Sequence, residues 1–313
     1  VIRLVVPLSI FLAGCDVRQL LVPPDAGFPY DAGFPYDAGT LDAGPHIRVL
    51  TFNVRRFFDT VCQSGQCAND DFEEQVSQGE FDARADQLAA GIRAANADVV
   101  VLQEVENQAC LDALSSRLMD VLPAASIGET GSPGSMDVAV MSRTPIEKTV
   151  RHRSSVLQRP DGSTTSFSRE FYEVHVRLLD REVIAFAAHF RSKVNDDAGR
   201  RLAEAQAAHA IVSATAAANP TALVLMAGDL NDTPGSLPIS ALEGDQALIR
   251  VAKENAAADQ ATYIYKGSGE AIDHVFRAAA GAGALVPGSV RVLKGPNGYA
   301  GSDHFALQAD FTP

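Results

Sequence analysis

The sequence predicts a mixed α and β domain of the α+β class over residues 46–313, and three observations carry that prediction. Short apolar runs recur and stop abruptly at glycine or a polar residue, as in Leu223 to Ala227 before Gly228 and Val99 to Leu102 before Gln103. Segments with helical spacing of apolar residues stand between some of these runs. Residues 122–190 read as strand after strand, so strands and helices do not alternate regularly. A chain of 313 residues with 46% hydrophobic content can bury a full-sized core, as one large domain or two small ones. Tryptophan is absent and aromatics are few, so that core is aliphatic.

The first 45 residues read differently. Residues 4–14 are an apolar run behind Arg3, too short to span a bilayer and ending in small residues, which is the pattern of an export signal over residues 1–14. Leu12, Ala13, Gly14 and Cys15 resemble the bacterial lipobox, in which the cysteine becomes the lipidated first residue. Residues 15–45 then form a tether: Asp-Ala-Gly-Phe-Pro-Tyr occurs at 25–30 and again at 31–36. Such repeats cannot bury a core. Extended, about thirty residues reach on the order of 90 Å. The expected location is therefore an exported protein, lipid-anchored at the periplasmic or outer-surface face of a bacterial membrane.

The body of the chain supports each element in order. Ile47 to Asn53 is a strand with a polar end. Residues 80–95 have helical spacing through Phe81, Leu88 and Ile92, and a buried strand runs from Asp98 to Glu104. Cys110 to Met119 is a second helix, with Leu111, Leu114 and Leu118 on one face. Leu122 to Glu129 and Met136 to Ser142 form a strand pair. Strands follow over Ile146 to Leu157, Ser168 to Leu179 and Val183 to Phe190. The last is apolar until His189, with Arg191 and Lys193 behind it, and Arg169 opens the one before. An alanine-rich helix covers Asp197 to Ala216, with His209 read as surface or packing. After the buried run from Leu223, Asp229 and Asn231 stand two residues apart, so extended geometry points both the same way. Residues 236–260 read as a short helix with loops. Strands over Thr262 to Lys266, Ala271 to Phe276, Val290 to Leu293 and Ser302 to Phe311 complete the chain. Asp273 and His274 are neighbours, so one faces inward, and Asp303 with His304 opens the final strand. Of the four cysteines, Cys62 and Cys67 can close a small loop, or Cys110 can replace either partner; no second pair completes a zinc site.

The polar residues at strand ends are Asn53, Glu104, His189, Asp229, Asn231, Asp273, Asp303 and His304. They come from far-apart segments, which is how a site is assembled at one rim of a packed sheet. No serine or cysteine sits in a nucleophile turn, and no Walker loop or dinucleotide fingerprint occurs. Oxygen ligands with two histidines suit a hard divalent cation and attack of water on a phosphate ester. The cations beside His189 suit a phosphate, and Arg169, Arg191 and Lys193 are the candidates to hold it.

Thr51-Phe-Asn53, Leu102-Gln-Glu104, Gly228-Asp-Leu-Asn231, Ile272-Asp273 and Ser302-Asp-His304 occur in this order, and together they resemble the motifs of the endonuclease/exonuclease/phosphatase superfamily. Residues 137–143 and 188–193 resemble its secreted bacterial nuclease-like members. The resemblance implies a four-layer α/β/β/α sandwich, with two mixed sheets face to face and helices outside. It implies a monomeric enzyme using Mg²⁺, with Mn²⁺ or Ca²⁺ as alternatives. It gives Glu104 as the principal metal ligand, with Asn53 and Asp303 beside it. His304, oriented by Asp273, contacts the scissile phosphate and moves a proton. Asp229 positions or deprotonates water, Asn231 binds the phosphoryl oxygen, and His189 serves as general acid with Glu129 as its orienting group.

The formal charge of −13 includes −3 from residues 1–45, leaving −10 on residues 46–313. An acidic body argues against salt-driven wrapping of long nucleic acid but not against a nuclease that meets phosphates through bound metal. The leading expectation is a membrane-anchored, metal-dependent phosphodiesterase acting on nucleic acid. The alternatives are a phospholipid or sphingomyelin phosphodiesterase, a phosphomonoesterase, or a silent surface-binding lipoprotein.

Overall fold

Strand β1 (Ile47–Phe57) shows how alternation in the sequence becomes layers. Its Ile47 and Val49 join one buried cluster, while Leu50, Phe52 and Val54 join another on the opposite face. The computed structural model describes residues 44–68 and 70–313. The expected signal peptide, Cys15 and nearly all of the tether lie outside the described residues.

The first sheet contains β1, β2 (Val99–Val105), β3 (Ala124–Gly128), β4 (Asp137–Ser142), β15 (Arg291–Leu293) and β16 (Ala306–Phe311), in the order β15-β16-β1-β2-β4-β3. The second contains β5 (Ile146–Arg151), β8 (Tyr172–Leu178), β9 (Arg181–His189), β10 (Leu223–Asp229), β11 (Leu248–Arg250) and β14 (Asp273–Ala278), in the order β11-β14-β10-β9-β8-β5. Both sheets are mixed: β1 runs parallel to β2, and β9 parallel to β10, with antiparallel neighbours elsewhere. Two short ribbons lie apart, β6 (Leu157–Gln158) with β7 (Thr164–Thr165), and β12 (Tyr263–Tyr265) with β13 (Ser268–Glu270).

One apolar cluster lies between the sheets, joining Val49, Val99, Val101 and Val140 to Val174, Ala185, Leu225 and Val275. The outer face of the first sheet packs on α1 (Gln78–Ala95) and α2 (Gln108–Leu118) through Phe52, Leu102, Leu88 and Leu114. The outer face of the second packs on α3 (Ala198–Ala218) and α4 (Leu237–Glu243) through Phe186, Met226, Ala208 and Ile239. The result is the four-layer α/β/β/α sandwich. Three apolar interfaces, each closed on both sides, explain why whole runs such as Leu223 to Ala227 are buried rather than alternating.

Helix starts follow their caps. Ser77 and Glu80 form a capping box, so α1 begins two residues before the apolar spacing does. Asn107 caps α2 by accepting from the Cys110 backbone, and Asp197 caps α3 by accepting from that of Arg200. Two strands are shorter than their apolar patterns. Glu170 accepts the backbone N–H groups of His152 and Arg153, ending β5 early. Glu204 accepts from the Ser168 backbone, so Ser168 and Arg169 belong to a loop and β8 begins at Tyr172. Cys62 pairs with Cys67, and Cys110 is a buried free thiol. Among the described residues, no helix is long and apolar enough to cross a membrane.

Candidate active site

Three neighbouring strands deliver one polar row. In the ladder, His189 of β9 stands opposite Asp229 of β10, and Asp229 opposite Asp273 of β14. Alternation continues the intersheet face: Ala185 and Ala187 precede His189, Leu225 and Ala227 precede Asp229, and Val275 follows Asp273. The same parity sends His274 to the helix side, where its Nε2 lies 2.9 Å from the Asp232 carbonyl oxygen. Both members of the Asp273–His274 pair are thus buried, on opposite faces. Gly228 is required where β10 turns over: its φ is 154°, and an added Cβ would overlap the Ala188 carbonyl oxygen.

The facing sheet supplies Asn53 and Glu104. Asn53 continues the inward face of β1, fully buried. Glu104 has the parity of Val100 and Leu102, which face the helices. A register shift between Gln103 and Val105 and a left-handed φ of 66° at Glu104 put its carboxylate at the rim instead. Asn53 Nδ2 donates to Glu104 Oε1 at 3.1 Å and to Asp229 Oδ2 at 3.0 Å, so one amide ties the two sheets together. Asn53 Oδ1 accepts from the Arg55 backbone at 2.9 Å, and Glu104 Oε2 accepts from the Arg56 backbone at 2.8 Å.

His304 precedes β16 and is held from three sides. Its Nδ1 lies 2.9 Å from Asp273 Oδ2, and its ring packs on Tyr263 with centroids 4.9 Å apart. Ser302 Oγ donates to the Asn53 carbonyl oxygen at 2.7 Å and accepts from the His304 backbone at 3.0 Å. Thr262 Oγ1 accepts from the backbones of Ile272 and Asp273, fixing the latter in place. The two histidines flank one carboxylate: Asp229 Oδ2 is 3.9 Å from His189 Nε2 and 4.0 Å from His304 Nε2. Such gaps exceed a hydrogen bond and suit one small bridging group.

Charge divides unevenly over this row. Burial opposes a charge on His304, but Asp273, Asp229 and Asp303 outweigh it and push its pKa up to about 10. His189 moves the other way, well below the ordinary histidine range, through burial and the nearby charges of Arg169 and His304. Burial and the neighbouring Asp273 carboxylate push Asp229 up to about 7, against the pull of His304.

The remaining expected residues surround this centre. Asp303 is 3.5 Å from Arg55 Nε, with its Oδ1 buried and lacking a hydrogen-bond partner. Asn231 donates its backbone N–H to Asp229 Oδ1 at 2.8 Å and its side-chain Nδ2–H to the Phe190 carbonyl at 3.2 Å. Its φ of 54° breaks the extended geometry expected from the two-residue spacing; the pair meets through a turn instead. Arg169 is half-buried, and the charges of Glu104 and Asp229 act on it. Lys193 lies on the other flank, 3.7 Å from Asp232 and 4.0 Å from Glu270, and Arg191 contacts the Asn195 carbonyl. Glu129 does not reach His189. It sits beyond β3, at the edge of the first sheet, where it accepts from the Gln108 backbone at 2.7 Å, and His189 Nδ1 is buried without a partner. The supporting roles of Arg56, Thr262 and Tyr263 carry no signal in the sequence, since they act through backbone contacts or ring packing.

Hard-cation chemistry fits these donors. Ligand atoms of Glu104, His189 and Asp229 lie within 4.8 Å of one another, and so do those of Asp229, Asp273 and His304. The unpaired buried oxygen of Asp303 adds a further oxygen donor at the same rim.

Comparison with known proteins gives a consistent picture. The sequence profile of the Endonuclease/Exonuclease/phosphatase family matches residues 50–304. No protein of curated function matches the chain in sequence. Among solved structures, TDP2 from C. elegans is 16% identical with a TM-score of 0.60, covering 86% of this chain and 75% of that one. D. rerio TDP2 complexed with a single-strand DNA product is also 16% identical with a TM-score of 0.60, covering 86% of this chain and 100% of that one. Sphingomyelinase C from Streptomyces griseocarneus is 20% identical with a TM-score of 0.54, covering 85% and 99%. These likenesses are of fold. The profile spans most of the chain, from inside β1 to His304, and the chain belongs to the Endonuclease/Exonuclease/phosphatase family.

Proposed function

We propose that the protein is a divalent-metal-dependent phosphodiesterase that hydrolyses nucleic acid strands. The observation that carries this is the placement of Asp229 between two histidines, with Glu104 joined to it through Asn53. Glu104 and Asp303 would hold the cation, with Asn53 beside them; when bound, it supplies Lewis-acid polarisation of a phosphoryl oxygen and neutralises developing charge. Mg²⁺ is the expected ion, with Mn²⁺ or Ca²⁺ as substitutes.

The chain's own groups account for the rest. Asp229, whose pKa is raised toward neutrality by burial and Asp273, accepts a proton from the attacking water. The water oxygen bonds to phosphorus as the ester bond to the leaving oxygen breaks. His304, kept cationic by Asp273, gives its proton to that leaving oxygen. His189 is held neutral, which makes it a hydrogen-bond donor to a phosphoryl oxygen rather than the proton-carrying acid. Asn231 and Arg169 stand where further phosphoryl oxygens can be held. The likeness to the D. rerio TDP2 complex with DNA supports a nucleic acid substrate, and the likeness to sphingomyelinase C makes a phospholipid the rival.

The test is a panel of single-stranded DNA, RNA, bis-p-nitrophenyl phosphate and sphingomyelin across Mg²⁺, Mn²⁺ and Ca²⁺. Cleavage of DNA or RNA that EDTA abolishes, and that Asp229→Asn lowers by about 10³-fold, is the expected result. Release of phosphorylcholine without any cleavage of nucleic acid would overturn it. Membrane anchoring through Cys15 is a separate part of the proposal, supported by the lipobox-like Leu12 to Cys15. Labelled palmitate should enter the wild-type protein and not Cys15→Ala; equal labelling would remove the anchor.

A further inference from the structure

A cavity of about 190 Å³ is lined among others by Phe72, Ser132, Met136, Arg153, Ser168 and Arg169. Its size suits a fragment such as one base or one phosphate, not a whole ligand. Two guanidiniums line it, and no carboxylate does among the described residues. Arg169 makes no hydrogen bond or ion pair among the described residues, and the charges of Glu104 and Asp229 reach it. Arg153 spans to the Thr130 carbonyl at 3.3 Å through Nη1, and its Nε is buried without a partner.

Phe72, 59% exposed, also lines the cavity. An isolated exposed phenylalanine is ordinary. This one is held: the Arg56 guanidinium donates to its carbonyl and lies 5.2 Å from its ring, and Phe58 meets it edge-on at 6.1 Å. Arg56 also donates its backbone N–H to Glu104 Oε2. One residue therefore fixes both a catalytic carboxylate and an open aromatic face.

From this juxtaposition we infer that the cavity is a subsite for the nucleotide flanking the scissile phosphate. Arg153 holds its phosphate, Arg169 stands between that phosphate and the scissile one, and Phe72 stacks on its base. The inference rests on the nucleic acid reading above and sharpens it: the occupant is an unpaired nucleotide, because a base can reach an exposed ring only when unstacked from its neighbours. A phosphocholine head is disfavoured. Quaternary ammonium sites use aromatic cages free of cations, whereas this cavity presents two guanidiniums.

Phe72→Ala and Arg153→Gln separate the possibilities, with hydrolysis kinetics on a single-stranded oligonucleotide and on bis-p-nitrophenyl phosphate. Each variant should raise KM for the oligonucleotide by about tenfold, in the range of one lost stacking or phosphate contact, with kcat on the small diester within about twofold of wild type. Anisotropy of a labelled single strand in EDTA gives a second readout. Arg153→Gln should lower the slope of log affinity against log salt by about 0.7, and Phe72→Ala should leave the slope alone. Wild-type KM and wild-type salt slope in both variants would overturn the subsite while leaving the nuclease reading intact. If the wild type cleaves no nucleic acid, that reading fails, and the anisotropy still decides the subsite: a slope sensitive to Arg153 supports it, and no binding of the strand overturns it.

Discussion

His189 and His304 stand almost equally far from the same carboxylate, at 3.9 and 4.0 Å, yet the structure drives them to opposite charge states. His304 has a second carboxylate at 2.9 Å on its other nitrogen. His189 has an unpartnered Nδ1 and two nearby positive charges. Distance to Asp229 therefore does not decide the protonation state; the partner on the far nitrogen does. A site with one charged and one neutral imidazole can hold a proton ready and keep a neutral donor beside it.

The largest expected effect comes from removing that far partner. Asp273→Asn should lower kcat on a phosphodiester by roughly 10³- to 10⁴-fold, as when the orienting aspartate of a histidine pair is neutralised. The fold should persist in near-ultraviolet circular dichroism, because the amide keeps the shape. Activity within tenfold of wild type would break the comparison. His189→Gln should cost less, on the order of 10²-fold, since a neutral donor is replaced by another neutral donor rather than a charge being lost. An equal or larger loss than in Asp273→Asn would mean that His189 carries the proton.

Stability offers a smaller but independent contrast. Thr262→Ala leaves two buried N–H groups, those of Ile272 and Asp273, without their acceptor and should cost about 2 kcal/mol in urea unfolding, with His304 loosened as a consequence.

The pH dependence of stability in the metal-free protein gives a separate contrast. The folded pKa of His304 is raised to about 10, so its contribution is complete below the unfolded value near 6.5 and is lost as pH rises through 10. His189 has the opposite sign. Its folded pKa lies well below the ordinary histidine range, so the unfolded chain binds the extra proton and stability falls as pH drops below about 6.5. Asp273→Asn should flatten the alkaline limb and His189→Gln the acid limb. The reverse pattern would contradict the assignment.

Much of the architecture was legible because the chain buries three apolar interfaces, and each leaves continuous or alternating runs. The helices in α1, α2 and α3 and the strands that end in His189 and Asp229 follow from those runs, whereas β1 continues past Asn53 to Phe57. Strand ends were less legible wherever a buried carboxylate captures backbone N–H groups, as Glu170 does after β5 and Glu204 does before β8. At the site, residue types and order were readable, but not geometry. The left-handed turns at Glu104 and Asn231 place side chains where strand parity does not. The role that the family resemblance implies for Glu129 beside His189 fails because chain order carries no information about which sheet edge a hairpin occupies. The cavity lined by Phe72, Met136, Arg153 and Arg169 was invisible for the same reason, since its walls come from four separate loops.

The account turns on how one carboxylate is shared by two unlike histidines, and the direct measurement is a nuclear magnetic resonance titration of both imidazoles in the metal-free protein. His304 should stay protonated past pH 8, toward its value of about 10, and should lose that elevation in Asp273→Asn, while His189 remains neutral below its ordinary range. Two histidines titrating together near 6.5, or His189 as the protonated one, would contradict it.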